Sequence, residues 1–441
     1  MGLFLENNVQ HYHQTPSFPV AMKRISTAAL LLFCCMAIYA QRTGFDYRFS
    51  GFVDPQLFMD SRQVVGAREG QLSFYPAPRL PDVNGNDLNA VPNLNMLAIT
   101  TRLGLRIKAP DWGATKVSSY LEGDFTGSNE AGINMLRLRH AYISLQRERS
   151  EWLFGQYWHP LVVPDIMPGT RPLNMGIPFH PYSRYVQGRY LCRSSASRPF
   201  VQMEAVAAFQ LDNASAGPYG KSTAYLRAAA LPEGNLQLRY VWGERVSSFL
   251  GCMFNAEVLR PRNYFDDAAG LLNRTSTTFP SFTVSLFGRH DYKCWSLRYQ
   301  GIYGDNLFEQ GLLGGYLETR LPQDAGYAYT PFGCTSLWAD FRRICGRWRP
   351  GIFLGYTQNN SFGSWFDAEA AVYGRGFDID NVWRVQPQLA FCPNASVAFF
   401  TELEYTSAKY GEKLTDGNSF RYLPTDPVGN LRIILEAVFY F

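Results

Sequence analysis

The sequence predicts an all-β protein, a transmembrane antiparallel β-barrel with 16 strands (18 remain open) and a constriction loop folded into the lumen. Three observations predict it. The last eleven residues alternate: Leu431, Ile433, Leu435, Ala437, Phe439 and Phe441 share one face, and Arg432, Ile434, Glu436, Val438 and Tyr440 the other. Segments of about ten residues with the same period recur along the chain. A secretory leader precedes them. An apolar strand face open to water invites aggregation, but against lipid, in a closed barrel, it is stable. Taken alone, the ending also fits a buried edge strand of a soluble sandwich.

Met22-Lys23-Arg24 is a short basic region, Ile25 to Ile38 is apolar, and Tyr39-Ala40 precedes Gln41. This is the layout of a signal peptide over 22–40, too short to span a bilayer as a stable helix, with cleavage expected after Ala40. Phe33 is too large for a lipobox, so Cys34 and Cys35 are not expected to carry lipid. Residues 1–21 are polar and contain proline, and read as a mis-assigned start. Residues 41–441 are expected to form a single barrel domain.

Aromatic residues make up 15% of the chain and glycine occurs 38 times, which suits many strands with aromatic girdles. No further apolar run approaches the ~20 residues of a membrane helix. The net charge is +4, and among the bases arginine outnumbers lysine 34 to 7. Arginine grips carboxylates with a planar fork. The excess points to a lumen that handles anions, or to arginines that pair with lumen acids and stiffen the wall. Six cysteines lie beyond the leader, at 192, 252, 294, 334, 345 and 392. They form no CxxC or Cys/His cluster, so no metal site or cofactor is expected. A Cys334–Cys345 bridge is conceivable; isolated thiols are the main expectation.

The first strand is expected over 45–59, followed by a polar, proline-rich external loop. Strand 2 (99–108) alternates Leu103, Leu105 and Ile107 with Arg102, Arg106 and Lys108. Strand 3 (117–125) sets Glu122 and Asp124 on its polar face. Strand 4 (135–145) offers Arg137 and Arg139, with a parity slip near His140 to Tyr142 that suggests a bulge. Strand 5 is 151–158. Base, acid and base on neighbouring strands support one another. Each Arg or Lys facing lipid at mid-membrane would cost about 2–4 kcal/mol, so this face lines the lumen.

The stretch 159–184 is proline-rich yet apolar, and cannot be a central strand. It is expected to fold inward and narrow the channel, with His159, Asp165, Arg171 and His180 at the constriction. A loop packed on a neighbouring subunit is the alternative. Later strands are expected at 201–210, 236–242, 281–290, 293–303, 335–342, 348–358, 380–391 and 395–406, the last presenting Glu402 and Glu404. Residues 304–331 and 407–429 read as external loops. The strands named here come to 14 and the raw count along the whole chain to 17; a barrel whose ends meet from one side needs an even number, hence 16.

Taken in order, Thr101-Arg-Leu-Gly-Leu, Leu121-Glu-Gly-Asp-Phe125, Leu136-Arg-Leu-Arg-His-Ala-Tyr142, Phe154-Gly-Gln-Tyr-Trp158 and the Pro-Tyr-Ser-Arg ending at Arg184 resemble the DcaP-like trimeric porins, in their Bacteroidetes-type form. Glu309-Gln-Gly-Leu-Leu-Gly-Gly-Tyr316 fits the same pattern. The resemblance spans most of residues 41–441 and is strongest at 96–190. It implies a 16-stranded barrel, a homotrimer and passive uptake of small anionic solutes. No heptads precede Phe45, so the periplasmic coiled coil of some members does not carry over. The arginine-lined constriction transfers to Arg102, Arg137 and Arg139. Arg106, Arg184 and Arg189 join them from strand parity and the inserted loop.

The leading expectation is therefore a Gram-negative outer-membrane channel, not an enzyme. Its partners would be outer-membrane lipid, the barrel-insertion machinery (reading Phe439 and Phe441) and small anions, with no nucleic acid. A barrel hydrolase would need a nucleophile with a positioned histidine. His140 with Ser144 is a weak candidate pair, and no Gly-x-Ser-x-Gly turn accompanies it. A structural or adhesive barrel with a blocked pore is the other rival.

Overall fold

The computed structural model describes residues 44–171, 175–243, 248–322 and 325–441. The proposed start, leader and cleavage site lie outside the described residues. The chain divides at Asp46 into two units, and the second, Tyr47–Phe441, carries the barrel.

Sixteen antiparallel strands close on themselves. β1 is Asp46–Val53 continued by Gln56–Asp60, and β2 is Asn93–Leu97 continued by Arg102–Lys108. β3 (Lys116–Asp124), β4 (Arg137–Gln146), β5 (Ser150–Trp158) and β6 (Arg184–Arg193) follow. β7 (Phe200–Phe209), β8 (Glu233–Trp242), β9 (Ser248–Leu259), β10 (Phe279–Tyr292) and β11 (Trp295–Asp305) continue the wall. β12 (Tyr327–Arg343), β13 (Trp348–Asn359), β14 (Ile379–Phe391), β15 (Val397–Thr415) and β16 (Val428–Tyr440) complete it. Closure runs through β1 and β16: Gln56 faces Glu436, Asp60 faces Arg432, and Phe52 faces Tyr440. β1 breaks at Asp54 and Pro55, where proline has no N–H for the ladder. Thr100 Oγ1 donates to Asp54 across that break at 2.7 Å.

The dyad period sets the two faces as the sequence predicts. In β16, Leu431, Ile433, Leu435, Phe439 and the following Phe441 are exposed, while Arg432 and Glu436 are buried inside. Tyr292, the stacked Trp295–Phe341 pair and Trp348 form an outward aromatic band near the short turns. Those turns mark the periplasmic end of such barrels, and the long loops the external end. The predicted bulge lies where the parity slips: Glu122 faces His140 but Gly123 faces Leu138. Arg139 is the extra residue. Both Arg139 and His140 are buried, so the bulge turns two successive side chains inward.

Several expectations need correction. The loop after β1 is not wholly external: a hairpin, Val64–Ala67 with Leu72–Pro76, carries Phe74 and Tyr75 into the buried core. Asn93–Leu97 is a strand that its two asparagines disguised. The turn after β10 falls at Lys293-Cys294, with Lys293 at φ 52°. β12 begins at Tyr327 and pairs with Gly314–Arg320, so about half of the 304–331 loop is strand. β15 runs to Thr415 and returns through Ser419–Pro424, which shortens the expected 407–429 loop. The disulfide joins Cys294 to Cys345 across two neighbouring turns, with Cα atoms 5.3 Å apart. Cys334 is a buried thiol.

Replacing Leu435 with Arg puts a charge on the lipid face of the closing strand. The expected loss is about 2–4 kcal/mol of folding free energy in bilayers, read from urea titrations of vesicle-reconstituted protein. A loss below about 0.5 kcal/mol would mean Leu435 lies outside the hydrocarbon band.

Candidate functional site

Residues 159–171 and 175–183 leave the top of β5 and fold into the lumen. The segment is apolar where it meets the wall: Leu161, Val162, Val163, Ile166, Ile177 and Phe179 are fully buried, in one cluster with Phe249, Phe287, Trp338 and Phe353. Its prolines deny it a ladder of its own, so wall side chains satisfy its backbone instead. Gln300 Nε2 donates to the Leu161 carbonyl at 3.0 Å, and Ser336 Oγ to that of Phe179 at 2.9 Å. Arg298 donates to the Met167 carbonyl at 2.8 Å, and Arg384 to that of Ile177 at 2.7 Å. The Gly169 N–H donates to Asp340 at 3.2 Å. Any Cβ at Gly169 would overlap the Arg342 guanidinium.

Charged pairs complete the attachment. Arg239 on β8 meets Asp165 at 2.8 Å. Arg171 forks onto Glu436 on β16 at 2.8 and 2.9 Å, while its N–H reaches Glu402 at 3.0 Å. Read in chain order, Asp165, Met167, Gly169 and Arg171 touch β8, β11, β12, β15 and β16 in turn, so the loop runs as a belt along half of the inner wall. The first-loop hairpin packs on the same half. Arg384 donates to the Ser73 carbonyl at 3.1 Å and Arg432 to that of Gly70 at 2.7 Å.

The other half, β2 to β8, carries the predicted arginines. Arg139 is fully buried, with Nε 2.7 Å from Glu122 and Nη1 2.7 Å from Asp124. Arg137 forks onto Asp124 at 2.8 and 3.2 Å. Arg102 is 3.6 Å from Glu122. Arg184, also fully buried, is 3.8 Å from Asp212. Arg189 meets Glu204 at 3.0 Å. Arg106 has no acid partner among the described residues and lies 5.1 Å over the Tyr120 ring. Tyr120, Tyr142 and Tyr157 step across the strands with ring centroids 5.9 and 5.1 Å apart. Tyr142 and Tyr157 line a cavity of about 390 Å³ together with Glu151, Asp165, Arg189 and Arg239.

The remaining predicted residues take structural places. His159 Nε2 is 2.6 Å from Glu233, and its Nδ1 accepts from the Leu161 N–H at 3.2 Å. His180 is enclosed edge-on to Trp338 at 5.2 Å, and burial pushes its pKa down to about 3. It brings no charge to the lumen at neutral pH. Glu404 pairs with Arg384 at 3.0 Å. Ser144 donates to Glu151 and His140 stands 3.8 Å from Glu122, so the two are turned to different acids.

Sequence reasoning missed Tyr182 as a lumen group. Its hydroxyl accepts from Arg139 at 3.1 Å and from Arg184 at 3.3 Å. Burial opposes ionisation of the phenol, yet the guanidiniums of Arg139, Arg184 and Arg137 outweigh it and bring its pKa down to about 7. The only signal was its place two residues before Arg184. Above pH 7 a Tyr182 phenolate would neutralise one local positive charge. Anion preference is therefore expected to fall as pH rises from 6 to 8. Tyr182→Phe should flatten that profile in reversal-potential measurements; an unchanged inflection would assign it to another group.

Residues 79–206 match the family model described as the DcaP outer membrane protein. That stretch holds the arginine cluster and the inserted loop. No curated protein sequence matches the chain. Among solved structures, the chain is similar to the outer membrane channel DcaP of Acinetobacter baumannii, at 16% identity and a TM-score of 0.60, over 91% of this chain and 99% of that one. It is also similar to an anion-selective porin from Comamonas acidovorans, at 10% identity and a TM-score of 0.52, covering 90% and 100%. OmpT, an outer membrane protein of Vibrio cholerae, follows at 9% identity and a TM-score of 0.50, covering 91% and 99%. These likenesses fix the fold as that of a 16-stranded outer-membrane barrel.

Proposed function

We propose that the protein is an outer-membrane porin for the passive diffusion of small hydrophilic solutes, with a preference for anions. One observation carries the reading: a closed barrel, apolar outside, encloses a charged lumen that an inserted loop narrows along one wall. The mechanism needs no catalysis. The belt sets the size limit, and the arginine fields raise the local concentration of anions. Arg106, exposed and without an acid partner among the described residues, carries donors a passing carboxylate could use. The DcaP and Comamonas structures are described as a channel and an anion-selective porin, which favours the same reading. Homotrimeric assembly, insertion through Phe439 and Phe441, and removal of the leader near Ala40 belong to the proposal; the first rests on the family resemblance and the other two on the sequence pattern.

A specific observation favours a second reading. The inserted loop and the 64–76 hairpin share one apolar core inside the barrel, so a sealed structural barrel is the rival. Planar-bilayer recordings of the folded protein separate the two. Conductance in steps of three, with a reversal potential that favours anions under a salt gradient, is the expected result. Silence from heat-modifiable, folded barrels would favour the sealed form.

Replacing both Arg137 and Arg139 with Gln strips Asp124 of its basic partners and leaves Glu122 with Arg102 at 3.6 Å. The expected outcome is a clear shift of reversal potential toward cations. The barrel should also lose about 3–5 kcal/mol, because a buried pair has been broken on one side only. An unchanged potential in the folded double variant would remove this cluster from the selectivity filter.

A further inference from the structure

A second cavity, of about 420 Å³, opens beside Gly169 of the belt, near the turn ends of β12 to β16. That volume lies within the ~300–1,000 Å³ range of small-molecule sites. Its lining includes basic Arg298 on β11, Arg342 on β12 and Arg349 on β13, and apolar Ala390, Ala398 and Phe400 on β14 and β15.

The charges here are balanced differently from those higher in the lumen. Arg102, Arg137, Arg139, Arg184, Arg189, Arg384 and Arg432 each have a carboxylate within 4 Å. Arg298 donates only to the Met167 carbonyl and to Ser296 Oγ. Arg349 donates to the Gly346 carbonyl. Neither has an ion-pair partner among the described residues. Arg342 is held by Asp340 at 2.5 and 2.6 Å. Arg349 thus has no acid, and Arg298 has only the field of Asp340, opposite it on β12, and of Asp291, in a cavity that apolar residues also line and that is large enough for an organic acid.

We infer that this cavity binds small carboxylates that carry an apolar tail. It is distinct from the Arg102–Arg184 cluster and stands at the periplasmic side of the belt. The carboxylate takes N–H groups of Arg298 and Arg349 in charge-assisted hydrogen bonds, and the tail lies against Ala390, Ala398 and the part of Phe400 that Arg171, 4.3 Å over its ring, leaves uncovered. Its part in transport, as a last station before release, rests on the porin reading; the binding site does not.

The probe is hexanoate, titrated by calorimetry into the folded protein in detergent, with acetate as the tail-less control. Hexanoate should bind, and acetate should bind at least about tenfold more weakly because its methylenes are missing. Arg298→Gln with Arg349→Gln should weaken hexanoate binding by about tenfold or more. Arg298→Lys with Arg349→Lys keeps the charge and should retain most of it. Heat-modifiable migration checks folding, and Arg349→Gln alone, at an exposed position, serves if the double variant does not fold. Hexanoate affinity unchanged in the Gln variants, or equal affinities for hexanoate and acetate, would overturn the proposal. The same preparation in a planar bilayer reports conductance, so a silent channel that still binds hexanoate sinks the porin reading without touching the site.

Discussion

Closure of β1 against β16 is the constraint on which the rest of the molecule depends. In lipid an unpaired backbone N–H or C=O has no water to turn to, and each would cost several kcal/mol. A barrel wall can have no open edge. Joining the first strand to the last fixes an even strand number and the register. With a period of two, it also fixes which side chains face in. Asp60 meeting Arg432 at 2.7 Å, on the seam itself, is the lumen side of that decision. Leu431 and Ile433, on either side of Arg432, are its lipid side.

Once the interior is closed, its charges must be matched. A charge withdrawn from water is tolerated only with a partner and good geometry. Arg139 with Glu122 and Asp124 satisfies this by bulging the strand, so that the guanidinium reaches two acids on β3. Arg171 does so from the loop, by crossing to β16. Of the two explanations for the arginine excess, stiffening the wall and attracting anions, the structure carries the first through these pairs. The second is left to the few guanidiniums without an acid among the described residues. Field strength along the lumen is then set by where acids are missing, not by where arginines are many.

The legible parts of the fold were those fixed by local alternation. β16, β3 and the slip at His140 could be read because each residue's face depends only on its neighbours two positions away. The inserted loop was legible for a related reason: prolines excluded a strand, and apolar content excluded open water. The 64–76 hairpin was not, because its polar flanks read as an external loop. What draws it inward is Arg384 and Arg432, more than 300 positions away. The Cys294–Cys345 link was hidden likewise, since it depends on which turns lie side by side around the closed wall. Tyr182 could be placed in sequence, but its role required knowing that Arg139 and Arg184 converge on one oxygen.

The belt explains why these long-range contacts gather on one half of the barrel. A 25-residue segment cannot fill a 16-stranded lumen evenly, and its backbone polar groups need partners. Leaning on one wall satisfies both needs: the apolar residues find Phe287, Trp338 and Phe353, and the carbonyls find Arg298, Arg384 and Gln300. The opposite wall is then left to the tyrosine steps and to Arg102, Arg106 and Arg189. The asymmetry of the passage follows from the backbone chemistry of the loop. A change that frees one carbonyl of the belt would shift the passage as surely as a change among the arginines that face it.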